Sequence, residues 1–480
     1  MSRVRLPHRR RLALAAALAS SLLLSACTGS SSGGANGSPS SRGSSGAPTT
    51  GATGPAVASG TSWLGYHADA ARTGSVAGVA VGVPLHRAWT ASLGAAVYGQ
   101  PVLAGGRVVA ATERNRVVAL DPRTGAVQWS TVLGPPLTDV QGAAGCGNVD
   151  PLGITSTPVV DAAAGIVYVV GEVRAGGGVQ HRLAGIRIAD GRIVRSVVVD
   201  PPLPAGEQPI TLLQRPGLVL ANGRVYAAFG GNAGDCGHYH GWVVGVRTTG
   251  AARMVSFQVA PDGEGGAIWQ SGGAPAVDAD GDLYVSTGNA NPGPPAGGPD
   301  PKRWTESVVK LSPTLHPIAA FKDPDANGDL DLSTGNPVLL PGGRVFAVGK
   351  TQTGFLLDAR LRRLARIPGV CGSDPDGGPA YDRATDRLFV PCRDGGIQVI
   401  EVGKHALGPR LDGANGAPIV VGGTVWATDY EGGRLLAFDA RSGRELQRLD
   451  TGALPHFASP SSGRGLVLVG TASGVVAFRA

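Results

Sequence analysis

Aromatic residues make up only 5% of this 480-residue sequence, lysine occurs five times against 37 arginines, and methionine twice. No basic stripe interleaved with aromatics is present, which removes nucleic acid as a partner. No P-loop and no Gly-x-Ser-x-Gly elbow occur, so nucleotide and serine-hydrolase chemistry have no support. No Cys-x-x-Cys-His attaches a haem. The scarcity of lysine beside abundant Ala, Gly and Val reads as GC-rich codon usage, not as an arginine-specific surface. Five of the seven net positive charges are arginines of residues 1–26, leaving about +2 elsewhere. The basic balance therefore says nothing about a polyanionic partner.

Those arginines (Arg3, Arg5, Arg9, Arg10, Arg11) precede an apolar run from Leu12 to Leu24, the layout of a secretory signal and too short to span a bilayer. The run ends in Leu24-Ser25-Ala26-Cys27, which resembles a lipobox, so Cys27 is the expected lipidation site. The expected location is the extracytoplasmic face of the cell membrane, lipid-anchored. Arg9-Arg10 leaves export by the general or the twin-arginine route open. Residues 27–60 are the lipidated Cys and a Ser/Gly-rich tether, with stretches such as Ser30-Ser31-Ser32-Gly33-Gly34 that hold almost nothing able to pack.

Residues 61–480 repeat one unit: a short strand opened by Pro, a Gly turn, a Val/Tyr strand, a second turn, and a strand ending in Leu-Asp before a Thr-Gly turn. Opening strands fall near 101, 158, 218, 275, 337, 379, 418 and 460, with Leu218 replacing Pro. Short alternating strands cannot bury both faces alone, and radial stacking closes them into a ring. The expected fold is all-β, an eight-bladed propeller of four-stranded antiparallel blades. The last unit stops after three strands, so the orphan strand around Trp89 is expected to complete it and close the ring.

The Ala-Leu-Asp-x-x-Thr-Gly-x-x-x-Trp signature from Ala119 to Trp129 resembles the repeat of the PQQ-like (quinoprotein alcohol dehydrogenase-like) propeller family, in which Trp and Gly staple neighbouring blades. Only Trp89 and Trp129 keep that Trp. The Thr287-Gly288-Asn289-x-x-Pro292 segment is similar to a motif of PQQ alcohol dehydrogenases. The resemblance implies Asn289 as a calcium ligand, Trp269 under the quinone, Asp331 or Asp329 as catalytic base, Lys350 at the quinone carbonyls, and Glu172 with Asp331 on calcium. PQQ and Ca²⁺ are thus the implied cofactors. The vicinal Cys pair that many of these enzymes carry is absent. The bland readings stand beside these: Asn289 as a left-handed turn residue, Trp269 as blade packing, Asp329 and Asp331 as a solvated loop.

Cys146, Cys236, Cys371 and Cys392 all map to loops on one face, and an even count in an exported chain favours disulfides, expected as 146 with 236 and 371 with 392. Long middle loops of blades two to four, around 172–182, 230–241 and 288–305, make that face the binding side. Asp323 to Asp331 also resembles the opening of a calcium loop, although its twelfth position is Thr334. His238 and His240 near Asp235 form another possible metal pair. Two functions remain: a membrane-anchored binding or assembly scaffold with an envelope protein partner on the looped face of blades two to four, or a PQQ- and Ca-dependent dehydrogenase for an alcohol or sugar.

Overall fold

Alternation of Val, Ala and Leu with small residues, broken by Gly-Gly turns, lets each repeat form a meander that is apolar on both faces. In the computed structural model, which describes residues 62–77, 81–291 and 304–480, eight such four-stranded antiparallel blades follow one another. Their innermost strands begin at Val102, Val159, Val219, Ala276, Val338, Ala380, Ile419 and Ser461, one residue after each expected opening. The eighth blade takes Ser461–Gly463, Leu466–Thr471 and Gly474–Arg479 from the C-terminus and His86–Ser92 from the N-terminal side. Trp89 pairs with Ala477 there, and the ring is closed by non-covalent joining of the chain ends.

Apolar clusters bridge the blades. Val109, Ala119 and Ile186 share one across blades one and two, and Leu103, Trp426 and Phe478 share another across one, seven and eight. The Trp staple has a steric basis. Trp89 lies on Gly125, where a Cβ would come within 2.7 Å of its ring, and its Nε1 donates to the Pro122 carbonyl at 3.0 Å. Trp129 lies on Gly191 in the same way and donates to Ile188 at 2.8 Å. Both glycines have positive φ, so the Thr-Gly turn is doubly restricted to Gly.

A strap not anticipated from sequence runs from Trp63 to Val76 around the inner strands, on the face of the Gly-Gly turns. Trp63 exchanges backbone hydrogen bonds with Leu103; the carbonyls of Leu64, Ala70, Ala71, Thr73 and Gly74 then accept from Val160, Val277, Leu339, Tyr381 and Val420. Ser75–Val76 finally pairs in parallel with the inner strand of blade seven. Six blades are thereby tied to one segment, and the central channel is stopped at that end by the buried, stacked rings of Tyr66 and His67.

Both expected disulfides are present, Cys146–Cys236 and Cys371–Cys392. One loop expectation is corrected: residues 172–182 are not a long loop, since strands Ile166–Ala175 and Gly178–Arg187 extend into a tight turn. The apolar alternation simply continues through Val173 and Val179, which bury their side chains. Cys27, the signal and the tether lie outside the described residues.

Candidate functional site

Loops at the end opposite the strap converge on an axial cavity of about 280 Å³. Its walls come from loops of most of the ring: Tyr98 before blade one, Val149 after it, Arg215 before blade three, Trp269 after it, Lys350 from blade five and Phe457 before blade eight. Stopped at one end by the strap, the channel is a blind pocket opening on the looped, disulfide-tied face.

The residues singled out from sequence behave differently from one another. Trp269 and Lys350 line the cavity. Trp269 is half-buried, with Nε1 donating to the Gly231 carbonyl at 3.1 Å, which fixes the ring. Asp331 is fully buried, accepting the Asn289 backbone N–H at 2.8 Å on Oδ1 and facing Lys350 Nζ at 3.0 Å on Oδ2. Lys350 also reaches Asp329 at 2.8 Å. Gly288 permits this approach, because a Cβ there would lie 2.5 Å from Asp331 Oδ1. Asn289 does not have a left-handed backbone, and Asp331 is no solvated loop residue, although Asp329 is exposed. Burial pushes the Asp331 carboxyl above its usual range, against the pull of Lys350.

Glu172 does not join them. It is buried in blade two beside His181, whose Nε2 lies 3.7 Å from its Oε2, while His181 Nδ1 bonds Asp200 Oδ1 at 2.9 Å. Burial opposes the imidazolium, yet the two carboxylates raise His181 to about 9. Burial pushes the Glu172 carboxyl up, so it is a poor hard anionic ligand. The implied quinone and calcium can be judged on these contacts. The quinone half has a fixed indole and a cation at the cavity. The calcium half does not fit: Glu172 lies in blade two near His181 and is not among the residues lining the cavity, and the Lys350 ammonium holds the Asp331 carboxylate that a cation would need. No step through these groups is derived.

The calcium-loop reading of 323–331 is also corrected. Its carboxylates diverge, Asp323 accepting from Thr351 at 2.6 Å, Asp325 pairing with Arg366 at 2.6 Å, and Asp329 and Asp331 sharing Lys350. His238 and His240 turn to separate partners, Glu264 and Glu207. Among the described residues no group of three or more His, Cys, Asp and Glu side chains is placed to hold a metal ion.

Several cavity residues were missed from sequence. Arg393 bridges Asp374 at 2.8 Å and the buried Asp376 at 2.9 Å, and Tyr430 donates to Asp376. His456, half-buried and next to Arg393 and Arg215, is lowered to about 4 by its partial burial and by those two cations, and stays neutral. Arg215 is 5% exposed. The available signal was positional: residues just before an opening strand or just after a second strand face the axis, and Gln214-Arg215-Pro216 and Cys392-Arg393 occupy such places.

A closed eight-bladed propeller with a blind, cation-bearing axial pocket on its disulfide-tied face is the class of protein described. Residues 86–321, about half of the chain, match the family model described as outer membrane protein assembly factor BamB. With that match and this fold, the chain is a PQQ-like β-propeller. Similar solved structures include a quinohemoprotein alcohol dehydrogenase from Comamonas testosteroni (TM-score 0.68, 16% identity, 88% of this chain and 81% of that one). A europium-containing methanol dehydrogenase is also similar (0.67, 14%, 86% and 90%). BamB from Moraxella catarrhalis is a third (0.54, 14%, 82% and 99%). At these identities the likeness is one of fold alone. No curated protein matches the chain.

Proposed function

We propose that this protein is a lipid-anchored, extracytoplasmic binding propeller, a scaffold that recognises its target with the looped face and does no redox chemistry. The observation that carries the reading is the ion-pairing of Lys350 with Asp331 at 3.0 Å and Asp329 at 2.8 Å, with Glu172 turned to His181. The lysine and the aspartates that would serve a calcium-assisted quinone site neutralise one another. A scaffold has use for that, since paired carboxylates fix the loops without needing a ligand. The strap enters the body on the face opposite the pocket. The looped face of blades two to four would then meet an envelope protein partner, such as the assembly role printed for BamB suggests.

A second reading keeps one observation in its favour. Trp269, Asp331 and Lys350 do meet at one cavity, as a PQQ-dependent alcohol or sugar dehydrogenase requires. Incubation of the purified protein with PQQ and Ca²⁺, followed by quinone absorbance and dye-linked oxidation of an alcohol and sugar panel, separates the two. The scaffold reading expects no turnover above the cofactor blank. Stoichiometric PQQ binding with turnover abolished in Asp331→Asn would replace it with the dehydrogenase.

A further inference from the structure

Three cationic side chains line the axial cavity, and their charges are not equally answered. Lys350 is bracketed by Asp329 and Asp331, and Arg393 by Asp374 and Asp376. Arg215 has no carboxylate in ion-pair contact among the described residues. Its Nη1 and Nη2 reach only the carbonyls of Thr155 and His456, both at 3.4 Å, the far limit of a hydrogen bond. The nearest acid, Glu113, is turned to the Gly153 N–H at 2.8 Å and the Thr155 hydroxyl at 3.1 Å, and burial raises it to about 7. A guanidinium 5% exposed with so few acceptors is poorly compensated.

The surroundings hold it in place. The rings of Tyr98 and Phe457 lie 5.4 and 5.6 Å from its central carbon. Gly272 backs it closely, a Cβ there coming within 2.5 Å of Nη1. Beyond these rings Val149, Leu213 and Trp269 add apolar wall, beside the polar side chains of Asn148, Ser271 and Thr334.

We propose that Arg215 is the seat of a carboxylate, and that the axial pocket binds a small monocarboxylic acid whose apolar body lies between Tyr98, Phe457 and Trp269. The guanidinium fork presents paired N–H groups that match a carboxylate's two oxygens. Because the other two cations are already neutralised, the pocket compensates one negative charge, and a polycarboxylate would leave charges facing Asp374 and Asp329. This inference rests on the binding-propeller reading and names the ligand class of the same pocket.

The test is titration of the purified protein by calorimetry and by tryptophan fluorescence with phenylacetate, its neutral analogue benzyl alcohol, and benzene-1,3,5-tricarboxylate. Saturable phenylacetate binding, at least about tenfold tighter than either comparator, is expected. Arg215→Gln should weaken it about tenfold or more, with Arg215→Lys retaining part of the affinity. Equal binding of benzyl alcohol, a tricarboxylate that binds as tightly, or no saturable phenylacetate binding overturns the proposal. Should Arg215→Gln fail to fold, the comparison of the three probes on the unaltered protein still decides. Loss of phenylacetate binding without PQQ turnover removes this inference alone, whereas PQQ-dependent turnover removes the binding reading beneath it.

Discussion

Truncating Trp63 to alanine tests whether the strap is part of the fold or a segment laid over a finished ring. The side chain is fully buried, packed in the cluster shared by blades one, seven and eight. Its Nε1 donates to Gln100 Oε1 at 3.2 Å. Gln100 is the hub of that end: the same oxygen accepts the His67 N–H at 2.9 Å, and its Nε2 donates to Ser459 at 2.9 Å and to the Pro460 carbonyl at 2.7 Å. Loss of a buried Trp costs about 3–5 kcal/mol, and Gln100 Oε1, which keeps the His67 N–H as a donor, is not left unsatisfied. Urea unfolding followed by fluorescence and far-UV circular dichroism should show a loss of about 3–5 kcal/mol with both probes moving together. Tyr66→Phe, which removes only an acceptor for the Gly378 N–H at 3.1 Å, should cost no more than about 1.5 kcal/mol. A Trp63→Ala loss under about 1 kcal/mol would mean that the strap is laid over a ring that stands without it.

Lys350→Met should destabilise the protein by about 3–5 kcal/mol at neutral pH, because Asp331 is left buried without its cation; a neutral outcome in the same urea assay would show that Asp331 is not ionised there. Paired replacement of Cys146 and Cys236 by Ser opens a link between residues 90 apart and should cost about 2–5 kcal/mol, with protease nicking near 232–241 as the readout. His181 supplies a pH dependence. Its folded-state value of about 9 exceeds the ordinary 6.5, so its contribution of about 3 kcal/mol is fully present below pH 6.5 and is lost as pH rises through 9. Unfolding free energies measured from pH 6 to 9.5 should fall in the wild type and flatten in His181→Gln.

The ring was legible because its signals are local. A Pro or Leu stands ahead of each inner strand, a Gly-Gly, Asn-Gly or Asp-Gly turn follows it in blades one, three, four, five and seven, a Leu-Asp or Phe-Asp ending marks blades one, five and seven, and the missing outer strand of the last unit pointed to Trp89. The strap was not legible, since its bonds are made by backbone carbonyls of Leu64, Ala70, Ala71, Thr73 and Gly74, and carbonyls carry no side-chain pattern. The pocket was half legible. Trp269, Asp331 and Lys350 sit in segments that resemble known motifs, whereas Arg215 and Arg393 belong to no motif and become visible only when all blades are arranged around one axis.

Loop positions near the axis are set by the blades, so Asn289, Asp331 and Lys350 come together whatever chemistry follows. The chemistry depends on whether their charges are left over for a ligand. Here Lys350 is shared by two aspartates and Arg393 by two more, and Glu172 has His181. Arg215 alone among the cavity cations keeps an unanswered charge, held by aromatic rings and two distant carbonyls. On the binding reading proposed above, a site built this way would favour capture of a single anionic group, because Lys350 and Arg393 are already answered by aspartates.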